Sequence, residues 1–317
     1  MKPGIDVEVR EVGLRDGLQI IPTFFATEGK IAWIKAEAAA GVPEIEVCSF
    51  VPPKVSAQFV DHAETIPVAL AQPGLTVAAL VPNLKGAERG FQMGVHKMNF
   101  VLSASESHNM ANVRCTTDES LERLRQIMAL RDATPEHRKV RIGAGISTAL
   151  GCTIEGRVDP KQVYRIADAM LAMGVDEISV ADTVGYANPN LVREVFAEVM
   201  KLTGKVPVAA HFHDTRGLGL ANVLAALDTG CRRFDASLAG LGGCPFAPGA
   251  TGNVVMDDMV FLFESMGLKT GVDLDKLVAV REIVAKHLPD EKLYGGIARA
   301  GLPKGFRPAT GMMQAAE

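Results

Sequence analysis

Short apolar runs alternate with helix-period segments almost from one end of this chain to the other, and that alternation limits the fold more than any single residue does. Strand-like runs fall at residues 7–12, 44–50, 75–81, 97–103, 140–147, 177–182, 206–213 and 234–239. Helical segments are read at 27–40, 83–90, 117–131, 160–173, 189–202, 218–228 and 253–266, with none between the second and third strands. Several boundaries carry their own chemistry. Gly41 closes the first helix, and Asp159 followed by Pro160 forms an N-cap and first-turn pair. Eight βα units with no long interruption predict an α/β fold, a closed (β/α)8 TIM barrel. A doubly wound sheet is the weaker reading, because no G-x-G-x-x-G follows the first strand. The barrel is expected over residues 1–270. Residues 271–317 are expected to add a helix at 273–288, ended by Pro289, and a Gly/Pro-rich basic tail that covers a rim or a subunit contact.

Composition narrows the setting. The net charge is −4 and aromatic residues make up 5% of the chain, which argues against a nucleic-acid partner. Five cysteines (Cys48, Cys115, Cys152, Cys231 and Cys244) form no C-x-x-C pair, as expected of a cytoplasmic protein in a reducing compartment. The N-terminus has no apolar segment of the signal-peptide kind. No apolar run approaches the ~20 residues that a bilayer requires, so no membrane partner is expected.

In a parallel barrel, chemistry gathers at the C-terminal ends of the strands. The polar residues there are therefore the candidates. His211 and His213 lie on one face of the seventh strand, because side chains alternate along a strand. With Asp16, from the end of the first, they can converge on one divalent cation that keeps open positions. Asn253 is the candidate fourth ligand, or else the N-cap of the last helix. The mixed oxygen and nitrogen donors favour Mg²⁺ or Mn²⁺, and Zn²⁺ or Co²⁺ also fit. Arg15, Glu46, Ser49, Ser179 and Asp182 end or line other strands. Asp182 could equally cap a helix or close a network. Cys244 stands in a glycine-rich loop at 240–253, where a thiol could exchange a proton or attack a substrate under a lid.

The stretches EVGLRDGLQ (11–19), IEVCSFVPPK (45–54), EISVADTVG (177–185), AAHFHDTRGLGLAN (209–222) and SLAGLGGCPFAPGATGN (237–253) resemble 3-hydroxy-3-methylglutaryl-CoA lyases in order and spacing, over residues 5–290. The resemblance implies a TIM barrel that takes an acyl-CoA and cleaves it by a retro-Claisen reaction into acetyl-CoA and acetoacetate. It implies that Asp16, His211, His213 and Asn253 hold the divalent metal, that Arg15 serves the enolate, and that Cys244 is catalytic. His211 could also carry protons. Glu46 and Asp182 match further active-site positions, and Gln19, Ser49 and Ser179 are expected to meet substrate. A homo-oligomer, dimer or tetramer, is expected. Condensing acyl-CoA synthases on the same barrel are the alternative, but they generally carry a long C-terminal domain. The chain departs from the family after GLQ, where Ile20, Ile21, Phe24 and Phe25 replace a polar run. That departure predicts an apolar rim and a longer 3-alkyl group, such as isohexenyl, as a further alternative.

Overall fold

The computed structural model describes residues 1–242 and 252–313 and shows eight strands: β1 Glu8–Glu11, β2 Glu44–Ser49, β3 Thr76–Leu80, β4 Lys97–Ser103, β5 Arg141–Ser147, β6 Glu177–Asp182, β7 Val208–Phe212 and β8 Arg233–Ala236. Every neighbouring pair is parallel, and β8 pairs back to β1, so the sheet closes into a barrel. The expected fold class is therefore the observed one. Helices surround the barrel, and their buried apolar faces join the outward faces of the strands in one continuous core. Trp33, Phe196, Phe234 and Phe263 are among its largest fully buried side chains.

The register aligns inward-facing residues in rows. Leu80, Asn99, Gly143 and Glu177 form one row across β3–β6. Val101, Gly145 and Ser179 form the next, nearer the C-terminal rim. Ala181, His211, Asp235 and Arg10 continue around β6, β7, β8 and β1.

Three helices among the described residues were not read in the sequence: His62–Leu70, Glu106–Val113 and the short Gly296–Ala300. His62–Leu70 lies between β2 and β3 and carries Pro67 inside it. A proline lacks the amide hydrogen and interrupts the helical signal, yet the apolar side chains Ile66 and Ala69 are fully buried and hold the turn in place. The last barrel helix is shorter than expected, Met256–Ser265, and Val255 rather than Asn253 is its N-cap. β8 also stops early. A short turn at Leu238–Gly240 follows it, with Ala239 in the left-handed region at φ 59°.

The C-terminal helix, Leu274–His287, packs against the first helix, Thr27–Ala39. The His287 ring lies 5.0 Å from that of Phe25, and the Asp273 amide donates to the Ala40 carbonyl at 2.8 Å. Beyond it, Tyr294 donates its amide to Ala239, and Arg281 donates to Asp257 at 3.0 Å. No helix among the described residues is long and apolar enough to cross a membrane.

Candidate metal centre and active-site cavity

β1 runs into a tight five-residue π-helical turn, Gly13–Gly17, which carries Arg15 and Asp16 over the C-terminal mouth of the barrel. Gly13 allows the turn. A Cβ there would lie 2.6 Å from Glu11 Oε1 and 2.8 Å from Ser237 Oγ. The buried Glu11 carboxylate accepts from the Gly13 amide and, through Oε2, from the Leu238 amide at 3.0 Å. One side chain thus fixes the ends of β1 and β8 to each other.

Asp16, His211 and His213 each direct a ligand atom into a space where those atoms lie within 4.8 Å of one another. His211 Nε2 and His213 Nε2 are 3.3 Å apart, and His213 Nε2 is 3.4 Å from Asp16 Oδ2. Asn253 reaches the same place by pairing its backbone with His213 in an isolated antiparallel bridge. Its Nδ2 donates to Asp16 Oδ2 at 2.8 Å. Its Oδ1 is buried without a hydrogen-bond donor among the described residues. Two imidazole nitrogens meeting head-on beside a carboxylate, with an orphaned amide oxygen, fit a divalent cation.

Burial alone would raise the Asp16 pKa. Arg15, and then His213 and His211, outweigh it and hold the carboxylate well below its ordinary range. Burial likewise opposes protonation of His211, but its bond to Asp235 and the charge of Asp16 raise its pKa. His211 Nδ1 lies 3.2 Å from Asp235 Oδ2, which leaves Nε2 for the cation. Asp235, in β8, has no role assigned to it from the sequence. Its partner is visible only once β7 and β8 are in register.

Beneath this centre lies a buried ionic layer. Arg10 Nε donates to Asp235 Oδ1 at 2.7 Å, and Arg10 Nη1 donates to Glu177 Oε1 at 2.6 Å. Lys97 Nζ donates to Glu177 Oε1 and to Glu44 Oε1 at 2.6 and 2.8 Å. Arg233 donates to Glu177 Oε2 at 2.8 Å. Burial opposes ionisation of Glu177, but Arg10 and Lys97 hold its pKa far below the usual carboxylate range.

A cavity of about 660 Å³ opens above this layer. Arg15, Asp16, Gln19, Glu46, Ser179, His211 and His213 all line it. Arg15 donates through Nε to Glu46 and through Nη1 to Asp16 Oδ1 at 2.6 Å; Nη2 has no acceptor among the described residues. Glu46 also accepts from Asn99 Nδ2 at 2.8 Å.

Two expected substrate contacts do not line the cavity. Asp182 accepts from the Tyr186 and Ala187 amides at 2.8 and 3.1 Å, so its carboxylate holds the turn after β6. Ser49 is buried beside the β2 bulge, with Oγ unpartnered among the described residues. The apolar rim expected from residues 20–25 reduces to Ile20. Phe25 is buried against Trp33 and His287, and Phe24 is an exposed ring under Lys30. Cys244, with most of the glycine-rich loop, lies outside the described residues.

The HMGL-like family model matches residues 6–284. The chain is 40% identical over 291 residues to the hydroxymethylglutaryl-CoA lyase YngG of Bacillus subtilis, covering 90% of this chain and 96% of that protein. It is 41% identical over 272 residues to a 3-hydroxy-3-isohexenylglutaryl-CoA/hydroxy-methylglutaryl-CoA lyase of Pseudomonas aeruginosa, covering 86% and 89%. The structure of an HMG-CoA lyase from Acinetobacter baumannii, in complex with coenzyme A and 3-methylmalate, superposes with a TM-score of 0.89 at 38% identity, covering 97% of this chain and 99% of that one.

Proposed function

Because this chain belongs to the HMGL-like family, we infer that its cavity runs the retro-Claisen cleavage of 3-hydroxy-3-methylglutaryl-CoA into acetyl-CoA and acetoacetate. The protein is a carbon–carbon lyase. The observation that carries the assignment is the convergence of Asp16, His211 and His213 beside the Arg15 guanidinium in one cavity.

Asp16, His211, His213 and Asn253 would hold the cation, and Mg²⁺ or Mn²⁺ suits their mixed donors. Bound there, it supplies Lewis acidity that makes the substrate's 3-hydroxyl easier to deprotonate. As the C2–C3 bond breaks, the alkoxide becomes a ketone and its electrons pass to the thioester as an enolate. Arg15 faces the oxygen on which that charge develops. It stays ionised because Glu46 and Asp16 grip it, and its Nη2, without an acceptor among the described residues, supplies the donor. Asp235 keeps His211 in the tautomer whose Nε2 is a lone-pair donor. Protonation of the enolate carbon is assigned to the Cys244 thiol on sequence grounds. The coenzyme arm leaves through the mouth lined by Val51, Pro52, Val55, Asn112 and Arg123.

The test is direct. Protein stripped with a chelator and resupplied with Mn²⁺ or Mg²⁺ is mixed with 3-hydroxy-3-methylglutaryl-CoA, and acetyl-CoA and acetoacetate are measured. Equal amounts of both products, abolished by the chelator, are expected. Activity that ignores the chelator would remove the metal from the reading.

A further inference from the structure

The interior of a closed (β/α)8 barrel is ordinarily filled by layers of side chains. Here the layer next to the rim is missing on one side. Leu80, Asn99, Val101, Gly145 and Ser179 all point inward, yet each keeps partial exposure, because the cavity descends between them. Gly145 is the residue that leaves it open. It sits mid-strand between Val101 and Ser179 and has no positive φ, so nothing in the backbone requires glycine. Glycine inside a strand weakens it and marks a place that something approaches closely. A Cβ on Gly145 would meet only ordinary or slightly tight neighbours: Val101 Cγ2 at 3.2 Å, the Phe100 carbonyl at 3.7 Å and Ser179 Cβ at 3.9 Å. Gly143, one step deeper, differs. Its Cβ would lie 2.7 Å from Asn99 Oδ1, so that position forms a tightly fitted floor.

We propose that this blind pocket, walled by Leu80, Val101, Gly145 and Ser179 and floored by Gly143 and Asn99, receives a C3 substituent larger than methyl, an alkyl or alkenyl chain of several carbons. The proposal rests on the lyase reading and specifies its substrate class. The tertiary carbon of the substrate carries four arms. The hydroxyl and the carboxylate arm belong to the charged side, where β1, β7 and β8 bring Asp16, His211 and His213. The thioester arm leads past Arg15 to the mouth. The fourth arm is left facing β3–β6, where the wall consists of leucine, valine, glycine and serine.

Binding and turnover are read separately. The free acids 3-hydroxy-3-methylglutarate and 3-hydroxy-3-hexylglutarate are titrated calorimetrically into the Mn²⁺-loaded protein, and both CoA thioesters are assayed for acetyl-CoA. The hexyl acid should bind the wild type about tenfold or more tightly than the methyl acid, well within what several buried methylenes supply. Gly145→Leu, whose side chain would occupy the pocket, should lower the hexyl-to-methyl ratio roughly thirtyfold. Gly145→Ala should move it the same way by less, and it serves if the leucine variant does not fold, as judged by circular dichroism. Equal or weaker binding of the hexyl acid to the wild type, or an unchanged ratio in a folded variant, overturns the pocket. If the acids bind as expected and neither thioester is cleaved, the lyase reading fails and the pocket stands. If the methyl thioester is cleaved and the hexyl acid does not bind, the reverse holds.

Discussion

Arg15 shows how much of a site one side chain can set. Its guanidinium is buried between Glu46 and Asp16, in the cavity and beside the cation-binding residues. Arg15→Gln removes the charge that faces the developing enolate while the metal ligands remain. Turnover should drop about 10²–10³-fold, the usual effect of losing such a donor, with Mn²⁺ affinity little changed. An unaltered kcat with a raised KM would make Arg15 a binding residue only. Asp235 acts one step further out, through His211. Asp235→Asn keeps the shape but can offer its amide hydrogens to Nδ1 and favour the wrong tautomer. Mn²⁺ affinity, measured by titration without substrate, should weaken by roughly 10–100-fold. Affinity equal to wild type would leave Asp235 a partner of Arg10 alone. The residue scale also holds what the sequence read well. Alternation along one strand was enough to pair His211 with His213, whereas Asp182 offered the same carboxylate chemistry and was claimed by two backbone amides.

At the scale of elements, the contact between β1 and the first helix, Thr27–Ala39, buries two acids against each other. Burial first, and then the neighbouring Glu11 carboxyl, push the Glu37 pKa well above the ordinary range; burial raises Glu11 from 4.5 to about 7. The sign follows from linkage. The folded pair keeps protons that the unfolded chain releases, so the stability it contributes is present at acidic pH and is lost as pH rises from about 4.5 through about 7. The melting temperature should therefore fall across that window. Glu37→Gln, which stays neutral, should flatten the fall and leave the protein more stable than wild type at pH 8. Parallel melting curves of the two proteins from pH 5 to pH 8 would contradict this. Because Glu11 ties Gly13 to Leu238, loss of this element contact would also loosen the turn that carries Arg15 and Asp16. The helix with Pro67 and the π-helical turn after β1 were not legible in the sequence, since tertiary burial outweighs their weak local signals.

At the scale of the whole molecule, the C-terminal helix, Leu274–His287, behaves as part of the barrel. Leu277 and Val284 are fully buried, and the His287 ring lies tilted against Phe25 under the first helix. Deleting residues 272–317 would strip that apolar face, and large-to-small losses in such a core cost about 2–5 kcal/mol for each big side chain. The truncated chain should fail to give a soluble folded protein with a cooperative melt. A well-folded 1–271 fragment would show instead that the extension is a separate appendage.

The order of the eight strands and the pairing of His211 with His213 were set by local pattern. Periodicity and alternation act over a few residues, and a parallel βα repeat of this length has few ways to close. Tertiary structure alone decided the rest. The registers of β8 with β1 and with β7 set Asp235 beside both Arg10 and His211. The bridge between residues 213 and 253 makes Asn253 a neighbour of Asp16 rather than a helix cap. The register of β4, β5 and β6 turns one glycine into the wall of a pocket. Each of these depends on registers between strands far apart in the chain. Such registers are chosen by the packing of the whole core, and no short stretch of sequence encodes them.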